Sequence, residues 1–108
     1  MYAEDVHQAV ADYAALLRAQ LGTQVREVRL FGSWARGQAG PDSDVDVFVL
    51  VDVRDERTRT LPYALCDDVL FRLGVNISPT VMDESQWLHL VNRERRIAAD
   101  ITREGIIL

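Results

Sequence analysis

Residues 32–46 read GSWARGQAGPDSDVD, and this stretch decides the fold that the chain is expected to adopt. It lies between two apolar segments with strand character, 25–31 before it and 47–51 after it. Because side chains alternate across a strand, Asp44 and Asp46 point to the same face, with Cα atoms roughly 6 to 7 Å apart. The stretch therefore predicts two carboxylates that converge on one point.

The carboxylate pair predicts a cation site. Two like charges at this distance repel, and one carboxylate takes up a proton unless a positive charge lies between them. Mg²⁺ prefers oxygen ligands in octahedral geometry and usually completes its shell with water and substrate phosphates. We therefore expect Asp44 and Asp46 to bind Mg²⁺.

The Gly32-Ser33 pair predicts a phosphate site next to the cation. A glycine at the end of the first strand lets the chain approach a ligand closely, and backbone N–H groups after it can hold a phosphate. Ser33 adds a hydroxyl donor. A Gly-Ser pair alone is usually a turn, and two alternating acids alone are usually a solvated strand start. Their joint spacing favours a nucleoside triphosphate site.

The whole stretch matches the signature GSxARGxxxxxSDxD, so the chain resembles the minimal nucleotidyltransferases of the DNA polymerase β superfamily. The resemblance implies an α/β fold with a small mixed sheet flanked by helices. It assigns the triphosphate to Gly32 and Ser33, and Mg²⁺ to Asp44 and Asp46, which we expect to be the catalytic residues. The charge of Arg36, rather than the resemblance, makes it a further candidate for nucleotide binding.

The same resemblance implies a reaction and a partner. Members of this family commonly act as the antitoxin of a HEPN-domain RNase toxin, with which they form a hetero-oligomer. They transfer AMP from ATP to a tyrosine hydroxyl of the toxin. We therefore expect ATP as the substrate and a HEPN-domain protein as the partner.

One position departs from the family pattern. The family has a third carboxylate on the strand after the second long helix, and Asn76 of GVNISPTV occupies that position here. An amide oxygen is a weak metal ligand and accepts no proton near neutral pH. Asp52, about 20 Å beyond Asp46, and Asp83, about 23 Å beyond Asn76, are too remote to substitute.

Asn76 leaves a second function open, a binding module that neutralises its partner by occlusion with a degenerate nucleotide site. Nucleotidyl transfer to a small molecule such as an aminoglycoside needs an acceptor-binding subdomain, for which 108 residues leave little space. Label transfer from ATP to the product of the adjacent reading frame distinguishes the first two hypotheses.

Two residues of the signature have alternative interpretations. Arg36 could neutralise phosphate charge or form a structural ion pair with Asp42 or Asp44. Trp34 could stack on a base, although a tryptophan at a strand-to-helix corner more often packs on the core. For the apolar run WLHLV at 87–91 we expect core burial.

Composition limits the classes of protein. The 108 residues, 48% of them hydrophobic, fit one domain over 1–108, and no apolar run approaches the roughly 20 residues of a membrane span. A net charge of −5 argues against direct nucleic-acid binding. Cys66 alone makes no disulfide, and all twelve bases are Arg, which excludes a lysine nucleophile. The acidic start does not resemble a signal peptide, so we expect a cytoplasmic protein.

Hydrophobic periodicity predicts the order α β β α β α α. The predicted helices are residues 4–21, a stretch that begins near Pro62 and ends at Gly74, a short helix through Leu90 and a last helix over 93–104. The predicted strands are 25–31, 44–52 and 75–82. Asp83 and Gln86 have the spacing of a capping box for the short helix.

Overall fold

The computed structural model describes residues 3–40 and 43–108, and its centre is a four-stranded mixed sheet in the order β3-β2-β1-β4. The strands are β1 Val25–Phe31, β2 Val45–Val51, β3 Ile77–Asp83 and β4 Ile106–Ile107. β1 is antiparallel to both β2 and β4, whereas β3 is parallel to β2. The predicted α/β architecture is confirmed.

Five α-helices accompany the sheet in the described part of the chain. They are α1 Ala3–Leu21, α2 Ser33–Arg36, α3 Glu56–Leu73, α4 Glu84–Asn92 and α5 Arg96–Glu104, and a 3₁₀ turn, Gly22–Gln24, joins α1 to β1. Periodicity did not predict α2, which is a single turn. None of the described helices combines the length and the apolar character that a bilayer crossing requires.

The main core lies between one face of the sheet and the helices α1 and α3. Alternate residues of β2 are fully buried in it, namely Val45, Val47, Val49 and Val51. On the opposite face Phe48 is also fully buried and lies 4.8 Å from Trp87 of α4, measured between ring centroids. The predicted burial of this strand on both faces is confirmed, and the acidic residues lie at its N-terminal end.

The prediction that the second long helix begins near Pro62 was wrong. α3 begins at Glu56, because Asp55 and Thr58 form a capping box in which each side chain accepts from the backbone N–H of the other. Pro62 therefore lies inside the helix, where it removes one backbone donor. Its carbonyl oxygen accepts a buried hydrogen bond from the Tyr13 hydroxyl at 2.8 Å, which ties α3 to α1.

The C-terminal helices also differ from the prediction. The capping box of Asp83 and Gln86 at the start of α4 is confirmed. The last helix begins at Arg96 rather than at residue 93, because Glu94 adopts a left-handed conformation (φ 54°) in the turn between the two helices. Core burial of the run 87–91 was wrong in part, since Leu88 and Val91 are exposed while Trp87 packs on Phe48.

Candidate active site

The backbone of Gly32 lies against the carboxylate of Asp46. Gly32 follows β1, whose last residue, Phe31, pairs with Asp46 across the antiparallel ladder. Its backbone has φ 76° and ψ −156°, a conformation essentially restricted to glycine. A Cβ at this position would lie 3.1 Å from Asp46 Cγ and would clash with Oδ2. The group that approaches the Gly32 backbone closely in the structure is therefore the Asp46 carboxylate.

Asp44 and Asp46 lie on either side of Val45, the first residue of β2. Asp44 precedes the strand and is exposed, whereas Asp46 lies within it and is half-buried. Burial, and then the negative charge of Asp44, raise the pKa of Asp46, while the positive charge of Arg36 opposes this shift. The two acids thus lie close enough to repel, and a further positive charge would favour ionisation of Asp46.

Asn76 lies beside this pair. Its side-chain amide donates to Asp44 Oδ1 at 3.5 Å, and its backbone carbonyl accepts from the Val45 N–H at 3.2 Å. These contacts follow from the parallel register of β2 and β3, in which Val45 pairs with Ile77. β3 begins one residue after Asn76, and the Asn76 side chain lies next to Asp44.

The other two acids considered for the third position lie elsewhere. Asp52 follows the far end of β2, where its N–H donates to the carbonyl of Gln24. Asp83 ends β3 and accepts from the Gln86 N–H at 2.7 Å as the cap of α4. Backbone hydrogen bonds to this carboxylate lower the pKa of Asp83. Both acids are thus separated from the site by the length of a strand, as predicted.

Trp34 forms a hydrogen bond to the segment that precedes Asp44. Its indole N–H donates to the carbonyl oxygen of Ser43 at 3.2 Å, and the half-buried ring packs against the core. Of the two interpretations of Trp34, the structure thus shows packing against the core rather than exposure for base stacking. Since Ser43 immediately precedes Asp44, this hydrogen bond restrains the entry of the chain into the site.

Arg36 has partners that the sequence did not indicate. Its Nη1 donates to Glu104 Oε2 and its Nε to Gln38 Oε1, each at 3.1 Å. Asp42, one of the two partners considered from the sequence, lies outside the described residues. The ion pair with Glu104 at the end of α5 had no sequence signal, because the two residues are 68 positions apart.

The side chains at this sheet edge fit a small, hard cation. Two carboxylates and an amide oxygen, from Asp44, Asp46 and Asn76, supply the donor type that Mg²⁺ prefers. Within residues 3–40 and 43–108, no three side chains of His, Cys, Asp or Glu form a metal-binding cluster, which agrees with the amide at the third position. These three residues would hold Mg²⁺, which stabilises charge on phosphoryl oxygens when bound.

The mixed sheet, with Asp44 and Asp46 at the start of β2, defines a nucleotidyltransferase of the DNA polymerase β type. The model of the nucleotidyltransferase domain family matches residues 15–102, so the chain belongs to that family. Within it, the chain is a minimal nucleotidyltransferase, as its signature indicated.

Two similar proteins are named as putative enzymes. One is a protein adenylyltransferase of Methanocaldococcus jannaschii, 27% identical over 85 residues that make up 79% of this chain and 81% of the relative. The other is a minimal nucleotidyltransferase of known structure, 30% identical, with a TM-score of 0.61 over 95% of each chain. The likeness to the second protein extends over nearly the full length of both chains.

A second similar structure is a chain of a toxin–antitoxin complex crystallised with AMP-PNP. It is 18% identical, and the superposition has a TM-score of 0.58 over 93% of this chain and 69% of that chain. At this identity the similarity is one of fold.

Proposed function

We propose that this chain is an Mg²⁺-dependent adenylyltransferase that transfers AMP from ATP to a hydroxyl group of a HEPN-domain toxin and so acts as its antitoxin. The observation that carries the proposal is the contact of the Gly32 backbone with Asp46, beside Asp44. It brings the predicted phosphate-binding turn and the predicted metal ligands to one point. The relative named as a protein adenylyltransferase and the fold of the toxin–antitoxin chain support the choice of acceptor.

In the proposed reaction the acceptor hydroxyl oxygen forms a bond to the α-phosphorus of ATP. The bond from that phosphorus to the oxygen bridging to the β-phosphate breaks, and pyrophosphate leaves with the electron pair. Gly32 and Ser33 bind the triphosphate through backbone N–H groups and the Ser33 hydroxyl, and Arg36 adds positive charge. These residues act by binding and orienting the nucleotide.

The hydroxyl proton passes to solvent in this scheme. Asn76 lies where the family has a carboxylate, and a neutral amide accepts no proton near neutral pH. We therefore expect transfer that is slow, yet specific for the α-phosphate.

The experiment combines the purified protein with Mg²⁺, ATP labelled at the α-phosphate and the protein encoded by the adjacent reading frame. We expect label on the partner. ATP labelled at the γ-phosphate must leave the partner unlabelled, because that phosphate departs in pyrophosphate. The variant Asp46→Asn should lose the transfer, whereas Asp52→Asn, at the far end of the same strand, should keep it.

Asn76 favours a second candidate, neutralisation of the partner by occlusion. A stable complex that suppresses the toxin while no label is transferred would support occlusion and contradict the adenylyltransferase. Transfer of label with loss of toxin activity would exclude occlusion as the sole mechanism.

A further inference from the structure

The guanidinium of Arg36 is held at two of its atoms. Glu104 accepts from Nη1 and Gln38 accepts from Nε, so the two contacts lie on different edges of the planar group. A guanidinium has five N–H donors in a fixed fork. These contacts use two of them and leave three, including both donors of Nη2. A guanidinium fixed in this way keeps both donors of Nη2 for phosphate oxygens.

Arg36 lies next to the predicted phosphate-binding turn. It is in the only turn of α2, which begins directly after Gly32. The contact with Glu104 thus connects the end of α5 to the predicted triphosphate site.

Several contacts fix the end of α5 on β1. Arg29 Nη1 lies 3.4 Å from the carbonyl oxygen of Ile101 and 3.5 Å from that of Thr102, in the last turn of the helix. Gly105 follows, and a Cβ there would lie 3.0 Å from Arg29 Cδ and would clash with the Ile101 carbonyl. The chain then pairs with β1, with Ile107 opposite Arg29. These contacts bring Glu104 to the strand that leads into Gly32.

From this arrangement we infer that Glu104 is a positioning residue of the triphosphate site, which holds Arg36 so that its remaining N–H groups are available to the nucleotide. The inference rests on the proposed function. The Arg36 and Glu104 side chains are 37% and 31% exposed, and an ion pair this exposed contributes little to folding stability. Its effect should therefore appear in nucleotide affinity rather than in the unfolding temperature.

A double-mutant cycle tests the inference with wild type, Glu104→Ala, Arg36→Ala and the double variant. Calorimetry gives the Kd for ATP in the presence of Mg²⁺, and the unfolding temperature is measured without nucleotide. We expect Glu104→Ala to raise the Kd roughly three- to tenfold, because nucleotide binding must then order the Arg36 side chain. Arg36→Ala should raise it further, and the double variant should equal Arg36→Ala, because Glu104 acts only through Arg36.

Two further variants complete the design. Glu104→Gln keeps an oxygen acceptor for Arg36 and should recover part of the affinity. Asp100→Asn removes another acid of the same helix, whose carboxylate lies 3.9 Å from Arg96, and should bind ATP as the wild type does. The unfolding temperature without nucleotide should be alike in wild type and Glu104→Ala.

Three results would overturn the inference while leaving the proposed function in place. They are an unchanged Kd for Glu104→Ala, a tighter Kd, which would mean that Glu104 competes with phosphate, and additive effects in the double variant. Absence of ATP binding by the wild type is a different result, because it contradicts the proposed function itself.

Discussion

No side chain fits between Gly32 and Asp46. The antiparallel pairing of Phe31 with Asp46 brings the end of β1 beside the acidic start of β2, and Gly32 then turns away with a positive φ. The carboxylate of Asp46 occupies the space where any other residue would carry its Cβ. The conformation of one backbone position thus sets how closely the predicted phosphate-binding turn and the predicted metal ligand approach.

Replacing Gly32 by alanine should therefore damage the site as well as the fold. A non-glycine residue in this region of φ and ψ costs about 1–3 kcal/mol, and the new Cβ displaces the Asp46 carboxylate. We expect weaker ATP binding by calorimetry and lower stability in urea unfolding. Gly74→Ala is the control, since Gly74 also has a positive φ (71°) but no atom within 4 Å of its Cβ position. The Gly74→Ala variant should lose stability and keep its ATP affinity. A Gly32→Ala variant that binds ATP as tightly as the wild type would refute the prediction.

Asp44→Asn should separate metal-dependent binding from folding. Asp44 is exposed, so the substitution should leave the unfolding temperature unchanged. Loss of one charged interaction, about 1.5–3 kcal/mol, should weaken ATP binding about 10- to 100-fold when Mg²⁺ is present. Without Mg²⁺ the two proteins should differ little. Calorimetry in both conditions makes the comparison, and an unchanged affinity with Mg²⁺ would count against Asp44 as a ligand.

Asn76→Asp should accelerate AMP transfer. The new carboxylate lies beside Asp44, where it can bind the cation and accept the acceptor's proton, and a general base typically contributes about 10²- to 10⁴-fold. Single-turnover label transfer gives the rate. Without Mg²⁺ the third negative charge should lower the unfolding temperature, and added Mg²⁺ should restore it.

Asn76→Ala is the control for that variant, since it removes the amide without adding charge. It should transfer AMP no faster than wild type. If wild-type transfer is already rapid and the Asp variant is no faster, another group supplies the base.

Tyr13→Phe should change the response of stability to alkaline pH. Burial, with a smaller contribution from Cys66, raises the pKa of Tyr13 well above its ordinary value of 10.0. The unfolded chain thus loses this proton first, so the stabilisation is complete below pH 10 and declines as the pH rises above it. The variant loses the hydrogen bond to Pro62, about 1 kcal/mol. Its free energy of unfolding should nevertheless fall less than that of the wild type between neutral pH and pH 11. Urea unfolding at both pH values measures this, and Tyr63→Phe, at an exposed tyrosine, should decline as the wild type does.

Local features of the chain were readable from the sequence. The buried β2 strand and the capping box of Asp83 depend on neighbours within a few positions. The predicted placement of Asp44 and Asp46 on one strand face rests on the same kind of local rule. The start of α3 escaped prediction because its capping box uses Thr58 instead of the usual Glu or Gln. The exposure of Leu88 and Val91 was not predicted, because an apolar run does not indicate which face of its helix the sheet leaves uncovered.

The surroundings of the carboxylates likewise include features that the sequence predicted and features that only the tertiary structure shows. The signature at 32–46 was enough to predict the fold family and the pair of acids, since strand alternation acts over two residues. Only the tertiary structure placed Asn76 beside Asp44, through the parallel register of β2 and β3, and Glu104 on Arg36, through the return of α5 to β1. Such contacts join residues 32 and 68 positions apart, and their distance depends on how whole strands and helices pack rather than on any local preference of the chain.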